Sequence, residues 1–372
     1  MKIEVYSPTI RRKEMDAVLT AMVEDRIGPG ERARNLLLIA KEYLHFDYAL
    51  SLRSPAIALK LALKALNPEK GQGVLISALS PRYYTDVIND MDLCPLYCDV
   101  SLTFPCINRE TIEAVLAENR SEAGVLCIVL HHTLGYVPDA ASIAELGLPV
   151  IEDISCSFAV PPAAEKPDNN KDETAVSKER SNEKRADDTR NQDARYHGVF
   201  TILGLEERDM LTAGGGALLF AHNRKDSSAL RNFSGLSPEF CLPDINAALA
   251  AVQFKESRRN MEKRNALAQV YIQASLRTHH KRFIPLENFE YNNYMFSLVL
   301  EAGLKDVFAY ARKKDIILES AFENTIIGVS GAEILKCPIA YSLSLRTVLF
   351  PLYPRLRVVE AERVSKLIAA LP

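Results

Sequence analysis

No apolar run in the 372-residue sequence approaches the roughly 20 residues that a membrane-spanning helix needs. Neither positive nor negative charge is in large excess: there are 45 Lys and Arg against 48 Asp and Glu, which gives a formal net charge of −3. Such a chain lacks the basic surface typical of nucleic-acid binding, so we expect neither nucleic acid nor an anionic membrane as a main partner. With 48% apolar and 25% charged residues, the composition is that of an ordinary globular protein.

The cysteines do not form the regular framework that disulfides or structural zinc sites require. There are seven of them, an odd number, and Cys94 and Cys98 have no second Cys or His pair nearby. We therefore predict free thiols and no metal site. No charged and apolar leader pattern precedes the first helical pattern, so the sequence favours a cytoplasmic protein.

Strand-like and helix-like patterns alternate through the first two thirds of the chain. Apolar runs predict strands over 48–52, 74–77, 95–99, 124–130, 149–152, 199–203 and 217–220. Because these runs are continuously apolar, they indicate an α/β fold whose mostly parallel sheet is covered by helices. A long helical pattern that starts at Asp244 leads into a smaller α+β unit. We predict a large domain over 1–250 and a small domain over 251–372.

The segment 165–195 interrupts this pattern. It has no aromatic residue, and its only apolar residues are Ala175, Val176, Ala186 and Ala194. Such a segment cannot bury enough surface to offset the entropy lost on ordering. We interpret it as a disordered, charged insertion within the large domain.

Six separated segments occur in an order that resembles one enzyme family. They are Gly28-Pro29, 54–66, 74–100, 150–153, 211–218 and 337–354. Their order and spacing are similar to those of the DegT/StrS family of pyridoxal-phosphate (PLP) sugar aminotransferases of polysaccharide and antibiotic sugar biosynthesis. The resemblance implies a fold-type-I aminotransferase architecture, PLP as cofactor and a sugar-nucleotide ligand. It also implies a homodimer, or a heterodimer with a related chain, because the family builds its site across a two-fold interface.

Aminotransfer through PLP requires a lysine amine, a carboxylate at the pyridine nitrogen, a phosphate cup and an aromatic face. The resemblance places Asp153, at the end of a predicted strand, at the pyridine nitrogen. It places Ser54 in the phosphate cup, although a helix-capping role explains Ser54 equally well. An Asp that caps the following loop is the ordinary alternative for Asp153.

The lysine of the family is absent from this chain. The resemblance puts its position at Arg208, and no Lys occurs between Lys184 and Lys225. Arginine stays protonated and cannot supply a free amine nucleophile, although it can pair with a phosphate or a carboxylate. A solvated loop arginine beside Glu206 and Glu207 is an equally good interpretation.

Further positions that the resemblance assigns to the phosphate cup have lost their polar groups. Proline removes an N–H donor, apolar side chains remove hydroxyl groups, and a glutamate repels a phosphate. The substituted positions are Pro55, Ala56, Leu203, Leu205, Glu239 and Cys241.

Aromatic and histidine side chains near the expected cofactor are interpreted as structural. Tyr83 and Tyr84 lie close to the expected ring, but the aligned stacking positions are 79–81, so we expect the tyrosines to be packing residues. His131 and His132 correspond loosely to a family histidine at a strand end, where a structural role is the more common one.

Two interpretations remain open from the sequence. In the first, the chain is a degenerate, non-transaminating family member that binds a sugar nucleotide or pairs with an active relative; a pure scaffold role is not separable from it. In the second, it is an active PLP-dependent sugar aminotransferase or a dehydratase-like enzyme that holds PLP without a covalent bond. The joint loss of the lysine and of the phosphate cup favours the first.

Overall fold

The structure, a computed structural model, describes residues 2–118, 123–158, 196–287, 291–301, 303–330 and 336–371. The segment 165–195, for which the sequence predicts disorder, lies outside these residues. The described helices are α1 (Arg12–Val23), α2 (Glu31–Leu44), α3 (Pro55–Ala65), α4 (Tyr83–Asp90), α5 (Arg109–Glu118), α6 (Ala140–Ala144), α7 (Arg224–Arg231), α8 (Asp244–Ser275), α9 (Leu304–Arg312), α10 (Ile326–Ser330), α11 (Pro338–Ser344) and α12 (Val358–Ala369). The described strands are β1 (Tyr48–Leu52), β2 (Gly73–Ser77), β3 (Cys94–Cys98), β4 (Val125–His131), β5 (Val150–Asp153), β6 (Phe200–Gly204), β7 (Ala217–Ala221), β8 (Phe296–Val299), β9 (Glu319–Ser320) and β10 (Thr347–Phe350).

A large sheet carries the ends of the strands that matter for function. Among the described residues it has seven strands in the order β1-β7-β6-β5-β4-β2-β3. The strands from β6 to β3 are parallel, whereas β7 is antiparallel to both of its neighbours. The carboxyl ends of β4, β5 and β6 therefore meet at one edge, where His131 and Asp153 are paired in register. This arrangement confirms the predicted α/β fold with a mostly parallel sheet.

A second, antiparallel sheet follows the long helix α8. Its order is β8-β10-β9, and it lies over a separate hydrophobic core that includes Tyr271, Phe296 and Phe350. α8 runs without interruption from Asp244 to Ser275, so it connects the two parts of the chain. The division into 1–250 and 251–372 stays a prediction.

The described part of the chain contains neither a disulfide bond nor a helix that could span a membrane. Each of the seven cysteines is a free thiol, and of these only Cys94 is exposed. No described helix is long and apolar enough to cross a bilayer. No group of three or more His, Cys, Asp or Glu side chains within the described ranges could hold a metal ion.

One buried carboxylate joins the start of α8 to the start of α2. Asp244 accepts hydrogen bonds from the backbone N–H of Arg32 at 3.1 Å and of Ala33 at 2.9 Å. Its own N–H donates to the carbonyl of Gly28 at 2.9 Å. A Cβ at Gly30 would lie 2.8 Å from the Asp244 carboxylate, so this approach requires glycine. Asp244 therefore caps α2 from a distant part of the chain.

We predict that Asp244→Ala lowers the free energy of unfolding by about 1–2 kcal/mol, because two N–H groups at the start of α2 lose their acceptor. Urea unfolding followed by circular dichroism measures this loss. Asp16→Ala, at an exposed position of α1, is the control and should change the free energy by no more than about 0.5 kcal/mol. Equal effects of the two substitutions would contradict the capping role.

Candidate active site

A cavity of about 450 Å³ lies between the carboxyl edge of the large sheet and the small sheet. Its size falls in the range of roughly 300–1,000 Å³ that is typical of small-molecule sites. Residues at or just after the ends of β4, β5 and β6 line one side of it, and β9 with the loop that follows lines the other. The parallel strands thus bring their carboxyl ends to the place where α/β sheets usually bind ligands.

Asp153 lies at the base of this cavity with every acceptor position of its carboxylate in use. Its Oδ2 accepts from the Tyr84 hydroxyl at 2.6 Å and from the Tyr83 hydroxyl at 3.3 Å. Its Oδ1 accepts from the backbone N–H of Ser155 at 3.0 Å and from the Ser155 hydroxyl. A carboxylate has about four lone-pair sites. These four donors therefore satisfy Asp153 without any ligand.

The two tyrosines reach Asp153 because α4 begins beside the carboxyl end of β5. Tyr84 is fully buried, and its ring meets that of Tyr83 edge to face at a centroid distance of 4.9 Å. Burial, together with the nearby charge of Asp153, raises the pKa of both hydroxyls well above the ordinary value. Both hydroxyls therefore keep their protons and act as donors. Tyr84 packs in the core, whereas Tyr83 is partly buried and lines the cavity, and both hydroxyls donate to the carboxylate.

The start of α3, where the resemblance places the phosphate cup, offers few donors. Pro55 has no N–H, and the Ser54 hydroxyl accepts from the backbone N–H of Ile57 at 3.3 Å. Ser54 thus caps its own helix. Of the first three helical residues, Pro55 has no N–H and the N–H of Ile57 is already bonded to Ser54, so only the N–H of Ala56 has no such partner. A phosphate has little to bind there.

The remaining cup positions lie away from the cavity or carry no polar group. Leu203 and Leu205 are fully buried in the core of the large sheet. Glu239 is exposed in a 3₁₀ turn, where it accepts a hydrogen bond from the hydroxyl of Ser237. Neither Glu239 nor Cys241 lines the cavity of this chain.

Arg208 lies at the mouth of the cavity and is tied to the small sheet. Its guanidinium forms a two-pronged ion pair with Glu319 of β9, with Nη2 at 3.1 Å from Oε1. The hydrogen bonds to Glu319 raise the pKa of Arg208 above its ordinary value. Arg208 is therefore a paired cation that spans the two sheets, and its half-exposed side chain does not point a free group at Asp153.

Asp209, the next residue, carries an unusual carboxyl group. Its Oδ2 accepts from the backbone N–H of Glu206 at 2.8 Å. It packs so closely on β6 that a Cβ at Gly204 would lie 2.2 Å from this oxygen. Burial, and to a lesser degree the charges of Asp153 and Glu206, raise the pKa of Asp209 to about 7. The cavity therefore contains a carboxyl group that titrates near neutral pH.

The two histidines at the end of β4 differ in their surroundings. His132 is fully buried, with Nδ1 at 2.6 Å from the Ser157 hydroxyl and Nε2 at 3.3 Å from Glu152. His131 lines the cavity, and its Nδ1 lies 3.0 Å from the Thr133 hydroxyl. Burial lowers the pKa of His131 to about 4, so its ring is neutral at pH 7. His132 is thus bonded within the protein, as expected of a structural residue. His131 instead lines the cavity.

These contacts do not fit PLP. A pyridinium N–H would have to displace a tyrosine hydroxyl from Asp153, and the phosphate would find a proline and a capped N–H at the start of α3. At Arg208, the position that the resemblance assigns to the lysine, the structure has a guanidinium that is bonded to Glu319. What remains is a cavity with hydrogen-bonding and acidic walls.

Three features of this site were missed by the sequence analysis. Asp209 and Glu319 were not singled out, and the hydroxyls of the two tyrosines were not assigned to Asp153. A signal exists for Asp209, which directly follows the position that the resemblance assigns to the lysine. For Glu319 none existed, because a two-residue strand has no periodic pattern.

We predict that Asp209→Asn stabilises the protein more at pH 8 than at pH 4.5. An unfolded Asp ionises near pH 3.9, whereas Asp209 in the folded protein holds its proton up to about pH 7. The folded state therefore binds more protons in this range and loses stability as the pH rises from about 4 to 7. Asparagine keeps the acceptor oxygen but removes the titration.

Urea unfolding of wild type and Asp209→Asn at several pH values between 4.5 and 8.5 measures this difference. Asp306→Asn, at an exposed position of α9, is the control and should change the free energy of unfolding by no more than about 0.5 kcal/mol. If the advantage of Asp209→Asn is the same at every pH, the carboxyl group does not titrate as described.

Comparisons with known proteins agree with this architecture. The model of the DegT/DnrJ/EryC1/StrS aminotransferase family matches residues 8–162. A curated relative, the L-glutamine:2-deoxy-scyllo-inosose aminotransferase of Streptomyces fradiae, is 27% identical over 127 residues. That match covers 34% of this chain and 30% of the relative, so the chain spans less than a third of that protein's length.

Solved structures are similar over nearly the whole chain. An aminotransferase from Streptoalloteichus hindustanus has a TM-score of 0.80 at 18% identity, covering 99% of this chain and 98% of its own. A putative sugar aminotransferase from Streptococcus pneumoniae in its PLP form has a TM-score of 0.79 at 15% identity. The match covers 99% of this chain and 98% of that protein. At these identities the likeness confirms the aminotransferase fold alone. The family match over residues 8–162 confirms the resemblance inferred from the sequence.

Proposed function

Since residues 8–162 match the DegT/DnrJ/EryC1/StrS aminotransferase family and the fold extends over the rest of the chain, we propose that this protein is a degenerate member of that family. It keeps the aminotransferase fold, performs no Schiff-base chemistry, and binds a sugar-like small molecule in the cavity between its two sheets. An enzyme that holds PLP without a covalent bond is the competing interpretation.

The observation that carries the proposal is the saturated carboxylate of Asp153. In a PLP enzyme this group would have to accept a hydrogen bond from the protonated pyridine nitrogen. Here Tyr84 donates to it at 2.6 Å, Tyr83 and Ser155 supply the other donors, and the hydroxyls hold their protons at any working pH. Each hydrogen bond to a charged group contributes about 1.5–3 kcal/mol, so displacing these donors opposes binding of the ring.

The phosphate and lysine positions support the same proposal independently. Losing two or three charge-assisted hydrogen bonds weakens binding of a phosphate by about a hundredfold or more. Pro55, the Ser54–Ile57 cap and the leucines of β6 account for such a loss. Arg208 then leaves no amine to form a covalent link.

We predict that neither wild type nor Arg208→Lys forms an aldimine at micromolar PLP, because the new amine meets no held cofactor. Visible absorbance during a PLP titration, followed by borohydride trapping and mass mapping, measures this. Wild type carries the same other lysines, so it controls for labelling of the protein surface.

A Tyr83→Phe/Tyr84→Phe/Arg208→Lys variant sharpens the test. This variant supplies the amine and also frees Oδ2 of Asp153 from its two tyrosine donors. Any increase in aldimine formation over Arg208→Lys alone therefore measures how far the tyrosines block PLP. If Arg208→Lys alone forms an aldimine and transfers an amino group from glutamate, the account of a dismantled cofactor site is wrong. Tight binding of PLP by wild type would instead favour the enzyme with non-covalent PLP.

We also propose that the protein is a homodimer or a heterodimer with a related chain. The family builds its sites across a two-fold interface, and α1 exposes an apolar face at helical spacing. Met15, Leu19 and Met22 on this face are each about half exposed, at 50%, 54% and 51%. A helix face of this kind is suited to burial against another chain.

We expect multi-angle light scattering at micromolar protein to give twice the 41.4 kDa mass of the chain. Dilution should shift the mass toward that of one chain only well below this concentration. A monomeric mass at micromolar protein would count decisively against the proposed dimer.

A further inference from the structure

We infer that the Arg208 side chain is a gate that closes the mouth of the cavity, and that Glu319 holds this gate shut. The gate controls access to the cavity whatever ligand the cavity takes, so it does not depend on the loss of PLP chemistry. The position of the ion pair, the anchoring of the backbone on both sides of Arg208 and the weakness of exposed ion pairs support it.

The ion pair lies where the cavity meets solvent. Arg208 and Glu319 both line the cavity, and their side chains are 51% and 32% exposed. The groups at the base of the cavity are buried by contrast, with Asp153 only 2% and His131 only 7% exposed. A side chain that lines a cavity and also contacts water lies at the entrance. The two-pronged bond of the guanidinium to Glu319 therefore crosses the entrance, from the segment after β6 to β9.

The backbone around Arg208 is fixed by two tyrosine hydroxyls from distant parts of the chain. The Tyr294 hydroxyl donates to the carbonyl of Arg208 at 2.6 Å, and the Tyr6 hydroxyl donates to the carbonyl of Glu207. Burial raises the pKa of both hydroxyls above the ordinary value, so both remain donors. The two carbonyls belong to the peptide groups directly before and after the Cα of Arg208. The gate therefore opens by rotation of one side chain, without a movement of the loop.

The side chain of Arg208 is held far less firmly than its backbone. Water and salt weaken an ion pair that is this exposed, so Glu319 favours the closed position by only about two- to fivefold. The ring of Tyr6 lies 5.8 Å from the guanidinium carbon and adds a weak cation–π contact. A fixed backbone with a weakly paired side chain is suited to a gate that is mostly shut and opens readily.

Cys156 provides a reporter inside the cavity. It lines the cavity and is partly buried, whereas Cys241 is also partly buried but does not line the cavity and serves as the internal reference. The probe is iodoacetamide, a small neutral alkylating reagent, and peptide mapping by mass spectrometry follows the alkylation of each cysteine of the full chain. Burial raises the pKa of Cys156 well above the ordinary value, so the reaction is followed at about pH 8.5 to increase the thiolate fraction.

Removal of either partner of the ion pair should open the gate. We expect Glu319→Ala to raise the rate of alkylation at Cys156 by about two- to fivefold, and Arg208→Ala to raise it at least as much. The rate at Cys241 should not change. The double variant should react at the rate of Arg208→Ala, because Glu319 acts only through the arginine and the two effects therefore do not add.

The sign of the change separates a gate from an effect of charge. Loss of Arg208 makes the cavity more negative, which would raise the pKa of Cys156 and slow its alkylation, whereas loss of Glu319 would do the opposite. A gate predicts faster alkylation in both variants. Glu323→Ala is the matched control, because it removes an equal side chain and charge from the cavity wall and Glu323 takes no part in the pair. It should raise the rate at Cys156 much less than Glu319→Ala does.

Three results would each overturn the gate. They are equal rates at Cys156 in Glu319→Ala and Glu323→Ala, opposite changes in Glu319→Ala and Arg208→Ala, and an equal rise at Cys241, which would indicate a general loosening of the chain. None of these results bears on PLP, because alkylation requires no cofactor. Conversely, an aldimine in wild type or Arg208→Lys would overturn the proposed function and leave the gate unaffected.

Discussion

The burial of one charged carboxylate is the constraint on which the rest of this site depends. Asp153 ends a parallel strand in the middle of the large sheet, where it is only 2% exposed. Leaving such a group without donors costs far more free energy than any single contact in the site contributes. The fold supplies four donors from two places, the start of α4 and the turn after β5. The position of α4 and the end of β5 are therefore fixed together.

Ser155 extends this constraint to the next strand. Its hydroxyl donates to Asp153 and accepts from the backbone N–H of Gly204 at 2.7 Å, so one side chain joins the ends of β5 and β6. Gly204 in turn has no Cβ, which allows the Asp209 carboxyl to pack against it. A buried charge at one strand end thus sets the position of the second carboxyl group. The raised pKa of Asp209 follows from burial first and from the charge of Asp153 after it.

Much of the fold could be predicted from the sequence, because each long element has its own periodic signal. The apolar run 48–52 and the helical pattern from Asp244 have the bounds that the structure shows, and Asp153 lies at the strand end where the pattern placed it. The contacts of the site could not be predicted in the same way. Which donors reach Asp153 depends on where α4 lies relative to β5, and that is set by the packing of distant segments. The pairing of Arg208 with Glu319 likewise joins residues 111 positions apart.

Net charge is a second sequence property that does not predict the contacts of the site. A formal charge of −3 over 372 residues says nothing about a cavity that gathers carboxylates from several elements. Field strength in a cleft depends on which charges line it and on how little water screens them there. Asp153, Glu206 and Glu319 lie on different segments, and the fold brings them together at one cavity. The local sign of the charge is therefore a property of the fold.

On the proposed function, the same coupling explains why the positions that the resemblance assigns to the lysine and the phosphate cup are substituted together. A buried carboxylate that has no pyridinium partner must find other donors, and the tyrosine hydroxyls meet that need. Once they occupy Oδ2, a lysine near Asp153 would have no cofactor to bind, and a guanidinium paired across the cavity mouth is compatible with the site. Groups that share partners in this way do not act additively, so no single position can be reverted without the others. On the proposed function, the site is a repacked cavity in which Asp153 has its own donors, rather than an aminotransferase site that lacks one residue.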